Sequence, residues 1–355
     1  MGITMFSSVT RIGLDLAKHV FQVHAIDASG VVIVAKAVRR GKLLEFFGAL
    51  PRCVVAMEAC STAHHWGRAL IGLGFDVRLI PPAHVKPYVR RNKNDAADAA
   101  AICEAAGRPG QRFVRVRSID NQAQLMRHRT RELLVGQRTQ LLNALRGNLA
   151  EIGVIAPQGP QHAFALRSLL ADGADENGEV VLPDVVRSAL AALGNQIDAL
   201  DEEITRIDKE LSAQVKADPT ARRLMSIPGV GPIIASAILA SVQDIHAFAS
   251  AREFSAFLGL TPRQNSSGGK ERLAGITKMG DRYLRTLLVS GACSVLFRCK
   301  RHDDALRIWA NQLRARKQGS SGFKVTAVAL ANKVARIIFA VLTSGGKYEL
   351  RAIAA

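Results

Sequence analysis

At 355 residues and 48% hydrophobic content, the chain is long enough for two or three domains, each with its own core. A formal net charge of +18 points to a polyanionic partner, and only 5% aromatics argues against stacking platforms for single-stranded bases, leaving duplex or helical nucleic-acid backbone. Five scattered cysteines (Cys53, Cys60, Cys103, Cys293, Cys299) without a CxxC pair support neither a zinc site nor disulfides, and the apolar runs are too short, or too interrupted by Lys333 and Arg336, to span a bilayer.

Residues 10–118 alternate strand and helix signals, which predicts an α/β domain. RIGLDLAKHVFQVHAID, from Arg11 to Asp27, reads as a strand pair, with Val20 to Ile26 loosely alternating. Asp15 lies within the apolar first strand, a costly place for an acid unless it is paired or metal-bound. Val31–Val34, Cys53–Met57 and Asp76–Ile80 are further strand candidates, and CVVAMEACST sets a second acid, Glu58, at a strand end. His64 to Leu73 reads as a helix, with His64 and His65 on its surface rather than as ligands. PPAHVKPY (81–88) reads as a rigid extended connector.

The connector leads into KNDAADAAAIC, Lys93 to Cys103, the start of an Ala-rich helix over Ala96 to Ala106. Asp95 and Asp98 stand three apart, so their carboxylates share one face. A solvated helix face with Asp95 near an N-cap is the alternative. Asp15 and Glu58 weigh against it. Two strand acids and a helical acid pair suit two hard divalent ions, Mg²⁺ or Mn²⁺, clamping a phosphodiester.

A long basic helix follows over residues 119–152, with Arg127, Arg129, Arg131, Arg138 and Arg146. Prolines and glycines break the pattern over 153–183. Val186, Leu190, Leu193, Ile197, Leu200, Ile204, Ile207 and Leu211 then alternate spacings of four and three, an a/d heptad seam with an acidic opposite face. The seam pairs either with the preceding helix in an antiparallel hairpin or with another subunit.

Beyond Arg222 the chain is helical and basic: residues 221–355 hold 21 Lys and Arg against 7 Asp and Glu. In SIPGVGPIIASAILASV (226–242), Gly229 and Gly231 make a tight turn opening into an apolar helix, the pattern of a helix-hairpin-helix element that grips DNA phosphates through backbone amides. An ordinary interhelical turn is the alternative. LGLTPRQNSSGGKERLAGITKMGDRYLRTLL (258–288) carries a Ser266–Gly269 loop with Lys270, Arg272, Lys278, Arg282 and Arg285 behind it. Glycine beside serine permits an exposed hydroxyl, and the cations could stabilise a pentacovalent phosphate. A Ser-Gly-Gly loop can also be a mere linker.

IGLDLAK, NDAADA, SIPGVGP, PRQNSSGGKERL and ITKMGDRYLR occur in the order and spacing of the DEDD transposases of bridge-RNA-guided insertion sequences, which the chain resembles over nearly its whole length. The resemblance implies a RuvC-like (ribonuclease-H-like) domain at 1–118, a coiled-coil helical hairpin at 119–217 and a mostly α transposase domain at 218–355. It places the metal tetrad on Asp15, Glu58, Asp95 and Asp98, and the catalytic serine on Ser267, directly before a glycine. One position departs from the family pattern: Ser61 stands where a glycine is common. The implied reaction is DNA recombination through a phosphoserine, with Mg²⁺ assistance. The implied partners are donor and target duplex DNA, a structured guide RNA and further copies of the chain, as a dimer or tetramer with sites composed from two chains.

Two other enzyme classes share part of this pattern. A resolvase-like nuclease would use the carboxylates with water and leave the SSGGK loop idle. A sugar-kinase or actin-like ATPase shares the IGLDLAK strand, but needs a second Gly-rich phosphate loop that 100–220 does not offer. With no signal-peptide pattern, the expected location is the bacterial cytoplasm, at the nucleoid when bound.

Overall fold

The structure is a computed structural model that describes residues 8–89, 94–157, 159, 162–174, 177–297, 304–317 and 320–349; Lys93, Pro160 and Cys299 lie outside these. The chain divides into two compact units, Met1–Gln122 and Ala123–Ala355.

The first unit is built on β1 (Arg11–Asp15), whose centre Ile12, Gly13 and Leu14 is fully buried. β1 pairs antiparallel with β2 (Val20–Ile26), and β2 antiparallel with β3 (Val32–Arg39). On its other side β1 pairs parallel with β4 (Val54–Glu58), and β4 parallel with β5 (Asp76–Ile80). The order β3-β2-β1-β4-β5 is a mixed sheet consistent with a ribonuclease-H-like fold. Each expected strand is present, and β3 runs on to Arg39. α1 (Leu43–Gly48) and α2 (Ala63–Gly72) pack through Leu43, Phe47, Trp66 and Leu70 into one core with Phe21 and Leu79.

Two local expectations need correction. PPAHVKPY is not extended: α3 (Pro82–Val85) is a helical turn, followed by a 3₁₀ turn at Lys86–Tyr88. Pro82 opens the turn where its missing N–H costs nothing, and Val85 is buried in the apolar cluster beneath the next helix. His64 is buried rather than on the surface; its Nδ1 accepts the Arg117 amide at 3.2 Å.

α4 (Asp95–Ala106) buries Ala99, Ala101, Ile102, Cys103, Ala105 and Ala106 and leaves Asp95, Ala96 and Glu104 exposed. Its Ala-rich surface lets it lie directly on β1 and β2.

In the second unit, α5 (Ile119–Glu151) and α7 (Asp184–Ala217) run antiparallel. Arg127 pairs with Glu210, Arg131 with Asp208 and Arg138 with Asp201, in reverse register along the two helices. The first part of the heptad seam packs within the chain: Leu190 and Ile197 cluster with Leu142, Leu145 and Leu149 of α5. α6 (Ala163–Asp172) lies inside the stretch read only as a break, and Leu170 covers Gly194 of α7, where a Cβ would stand 2.7 Å from its Cδ2. Prolines and glycines on both sides masked that helix.

The rest comprises α8 (Pro219–Leu224), α9 (Pro232–Ser241), α10 (Ala251–Phe257), β6 (Pro262–Gln264), β7 (Leu273–Ile276), α11 (Arg282–Phe297), α12 (Ala305–Arg316) and α13 (Ser320–Ser344). Among the described residues, Gly322–Ser344 is long and apolar enough to cross a membrane by length and composition. Here it is the central core helix, burying Leu330, Val334, Ile338 and Val341.

Candidate metal centre and serine hairpin

Asp15 ends β1 and Glu58 ends β4. The residues just before them, Leu14 and Met57, are paired across the two parallel strands, so the acids emerge side by side at the carboxyl end of the sheet. That edge is where open α/β sheets hold their ligands. α4 crosses β1 with its first turn at this edge. Asn94 caps it, its side chain accepting the Ala97 amide at 2.7 Å, which fixes the turn carrying Asp95 and Asp98. The cap is Asn94, so Asp95 is the first residue inside the helix.

Asp15, Asp95 and Asp98 each offer an oxygen, and the three lie within 4.8 Å of one another. Glu58 falls outside this tightest group, yet its charge still acts on Asp15. Burial, then the charges of Asp98, Asp95 and Glu58, push the Asp15 carboxyl up to about 6. Four acids gathered at a sheet edge, three of which oppose the ionisation of Asp15, form a donor set suited to a hard divalent ion, which removes the repulsion. The residues fit Mg²⁺ or Mn²⁺.

The second candidate lies on the β6–β7 hairpin. Gly268 and Gly269 both have positive φ, 57° and 76°, and the Lys270 amide donates to the Ser267 carbonyl at 3.1 Å. This is a tight two-residue turn of the I′ kind, so the SSGG stretch is a hairpin tip rather than a loose loop. The two serines differ. Ser266 Oγ accepts the Arg272 amide at 3.2 Å and Gln264 Nε2 at 3.1 Å, tying the strands together. Ser267 Oγ is exposed and makes no hydrogen bond among the described residues.

A profile of the DEDD transposases of IS110 type matches residues 12–154, and one described as "Transposase IS116/IS110/IS902 family" matches 221–307. A probable family 20 transposase of Pseudomonas aeruginosa is 45% identical over 336 residues, 95% of this chain and 97% of that one. The chain belongs to the IS110 family of insertion-sequence transposases. The transposase for IS1111A of Coxiella burnetii is 42% identical, covering 95% of this chain and 91% of its own. That for IS1328 of Yersinia enterocolitica is 40% identical, covering 95% and 98%. Transposases break and rejoin DNA.

In this transposase the GVG turn has two different glycines. Gly229, at φ 86°, faces α11: a Cβ there would stand 2.9 Å from the Gly291 carbonyl oxygen. It serves helix packing. Gly231 is the N-cap of α9, with nothing within 4 Å of its Cβ position. Among the basic candidates, Lys270, Arg272, Lys278 and Arg282 are exposed and make no ion pair among the described residues. Arg285 is committed elsewhere: Nη1 donates to the Leu258 carbonyl at 3.0 Å and the Met279 carbonyl at 2.8 Å. It braces the turn where Gly259 and Met279 meet backbone to backbone.

One polar cluster escaped the sequence. His128 of α5, buried at 1% exposure, lies 3.1 Å from the Tyr283 hydroxyl on α11 and 3.0 Å from Ser236 Oγ on α9. Burial, then the neighbouring Arg131 cation, lowers its pKa to about 4, so the ring is neutral. No local pattern marks such a residue, because its partners come from distant segments.

Proposed function

We propose that this transposase cuts and rejoins DNA through a phosphoserine on Ser267, with divalent metal held by Asp15, Glu58, Asp95 and Asp98. The observation that carries the reading is the contrast between the two serines: Ser266 is spent on the hairpin, while Ser267 presents an unengaged hydroxyl at a fixed, exposed tip flanked by Lys270 and Arg272. In the first step Ser267 Oγ bonds to the scissile phosphorus and the bond from phosphorus to the 3′ oxygen breaks. The hydroxyl proton is transferred overall from Oγ to that oxygen, leaving a 5′-phosphoserine and a free 3′-hydroxyl. Rejoining is the reverse, with a 3′-hydroxyl from the exchanged strand expelling the serine. Lys270 and Arg272 stabilise the extra charge on the five-coordinate phosphorus. Bound Mg²⁺ would supply Lewis-acid stabilisation and help activate the hydroxyl.

Duplex donor and target DNA are held by the phosphate-facing Gly231 turn and by Lys278 and Arg282. Arg285 and Gly229 support that surface from beneath. The family resemblance adds a structured guide RNA, a dimeric or tetrameric assembly and action in the cytoplasm. A water-using nuclease is the second reading, since the carboxylates alone would serve it. The test is a nicked suicide substrate resolved on a denaturing gel, with the adduct mapped by peptide sequencing and RNA recovered from the purified protein. An adduct on Ser267 supports the reading; free cut ends without an adduct support the nuclease.

A further inference from the structure

Beside the serine hairpin, a cleft of about 840 Å³ opens between β6–β7 and helices α12 and α13. Its volume is that of clefts enclosing organic ligands, about 300–1,000 Å³. Arg263, Lys278, Lys324, Lys333 and Arg336 line it, and no carboxylate does. None of the five makes an ion pair among the described residues. Between the cations the lining is apolar, from Val325 and Val328 of α13 and from Trp309 of α12. Lys333 Nζ stands 4.1 Å from the Trp309 ring centroid. Lys278, at the rim, is the one described non-glycine residue with positive φ, 57°, a backbone strain of the kind that collects at working sites.

A cleft this basic and this apolar calls for an occupant with both characters. A small carboxylic acid would leave most of the cations unmatched. A DNA duplex is a stiff cylinder with its bases stacked inside, so it could meet the rim charges but not the indole. An unpaired strand offers repeated phosphates that can draw Lys333 off the indole, and a free base to take its place on the Trp309 face. The chain's low aromatic content argues against a general stacking platform, but one indole in a cationic cleft needs no others.

We infer that this cleft is a subsite for unpaired DNA strand, phosphates on the five cations and one base against Trp309. Such strand exists wherever the two DNA partners exchange ends, and the cleft shares β6 and β7 with the serine hairpin. Burial and the Arg336 charge lower the Lys333 pKa, an opposition that a bound phosphate relieves. The inference rests on membership of a DNA transposase family and not on Ser267 as nucleophile; Ser267→Ala leaves the cleft's binding intact.

The test uses the full chain and a short single-stranded DNA carrying 2-aminopurine, read by anisotropy and by quenching, with a blunt duplex and an RNA of the same sequence alongside. Trp309→Leu keeps an apolar filler but no flat face, and should weaken single-strand binding about tenfold and abolish quenching. Trp309→Phe should keep most of both. Lys333→Gln and Arg336→Gln should each flatten the salt dependence by about one contact. Duplex binding should hold in all four, and circular dichroism should show unchanged folds. Single-strand affinity equal in wild type and Trp309→Leu would overturn the assignment. So would a parallel loss of duplex binding, or tighter binding of the RNA with the DNA unaffected by either Trp309 change. A change of oligomeric state in Trp309→Leu would mark the cleft instead as a contact between copies.

Discussion

Gly13 of β1 lies directly against Ala99 of α4. A Cβ built on Gly13 would overlap the Ala99 carbonyl oxygen and stand 2.6 Å from the Cys103 amide nitrogen. The helix therefore sits on bare strand backbone, and this close approach brings Asp98, one residue before Ala99, to Asp15, two residues after Gly13. Gly13→Ala should lift α4 from the sheet and separate the acids. Mn²⁺ affinity by calorimetry should fall about 10- to 100-fold, as for other changes that misplace metal ligands from behind. Unchanged affinity in a folded variant would show that the centre does not depend on this contact.

Asp98→Asn removes one charge and one oxygen donor at nearly constant shape. Recombination between plasmids carrying the element's end and its target should drop to background, while duplex binding stays within about twofold of wild type, since phosphate contact rests on the cations. EDTA should abolish wild-type recombination in the same way. Full activity of either one would exclude the tetrad as a metal centre.

The acids were legible in the sequence because each sits at a position with local meaning: a strand end, or the first turn of an Ala-rich helix. Their approach was not legible, because Gly13 reads as an ordinary strand glycine until α4 is seen upon it. The seam of α7 was clear from its spacing, yet the α5 side chains that pack on Leu190 and Ile197 and pair with Asp201 and Asp208 come from a distant segment that the spacing does not name. Arg285 looked like a phosphate contact by charge alone; its use on two carbonyls depends on a turn formed by residues 258 and 279. Trp309 was invisible in an average over composition.

The His128 network predicts a pH-dependent stability for the second unit. The folded-state pKa is depressed to about 4 from the free value of 6.5. Below pH 6.5 the unfolded chain takes up a proton that the buried ring refuses. The contribution is thus complete above 6.5 and lost as pH falls toward 4, by roughly 3 kcal/mol over the window. Carboxylates titrate in the same range, so the measure is the difference between wild type and His128→Gln. Denaturant unfolding at pH 7 and 4.5 should show the wild type losing more stability than the variant on acidification. Equal losses would mean that His128 titrates freely.

DNA affinity should be strongly salt-dependent, because 14 of the 18 excess positive charges lie in residues 221–355. With six or more phosphate contacts, the association constant should fall by about three to five decades between ~50 and ~200 mM salt. Arg282→Gln should reduce the slope by about one contact, whereas Arg285→Gln should act chiefly on stability, since two backbone carbonyls lose their donor. A larger slope change for Arg285 than for Arg282 would return Arg285 to the DNA surface.

The two serines give the sharpest separation. Ser266 and Ser267 are chemically identical and adjacent, so charge and pKa cannot choose between them. Hydrogen bonding can. A hydroxyl that accepts the Arg272 amide and the Gln264 side chain is held against the hairpin and has its lone pairs engaged. A nucleophile needs a lone pair free toward phosphorus, and Ser267 retains it. Ser267→Ala should eliminate the covalent protein–DNA adduct with the hairpin intact. Ser266→Ala should keep the adduct and lower its rate of formation severalfold, because the loss of two neutral hydrogen bonds, about 1 kcal/mol each, loosens the strand that carries Ser267. Peptide mapping of the trapped adduct decides the matter: a phosphoserine at Ser266, or an adduct persisting in Ser267→Ala, reverses the roles.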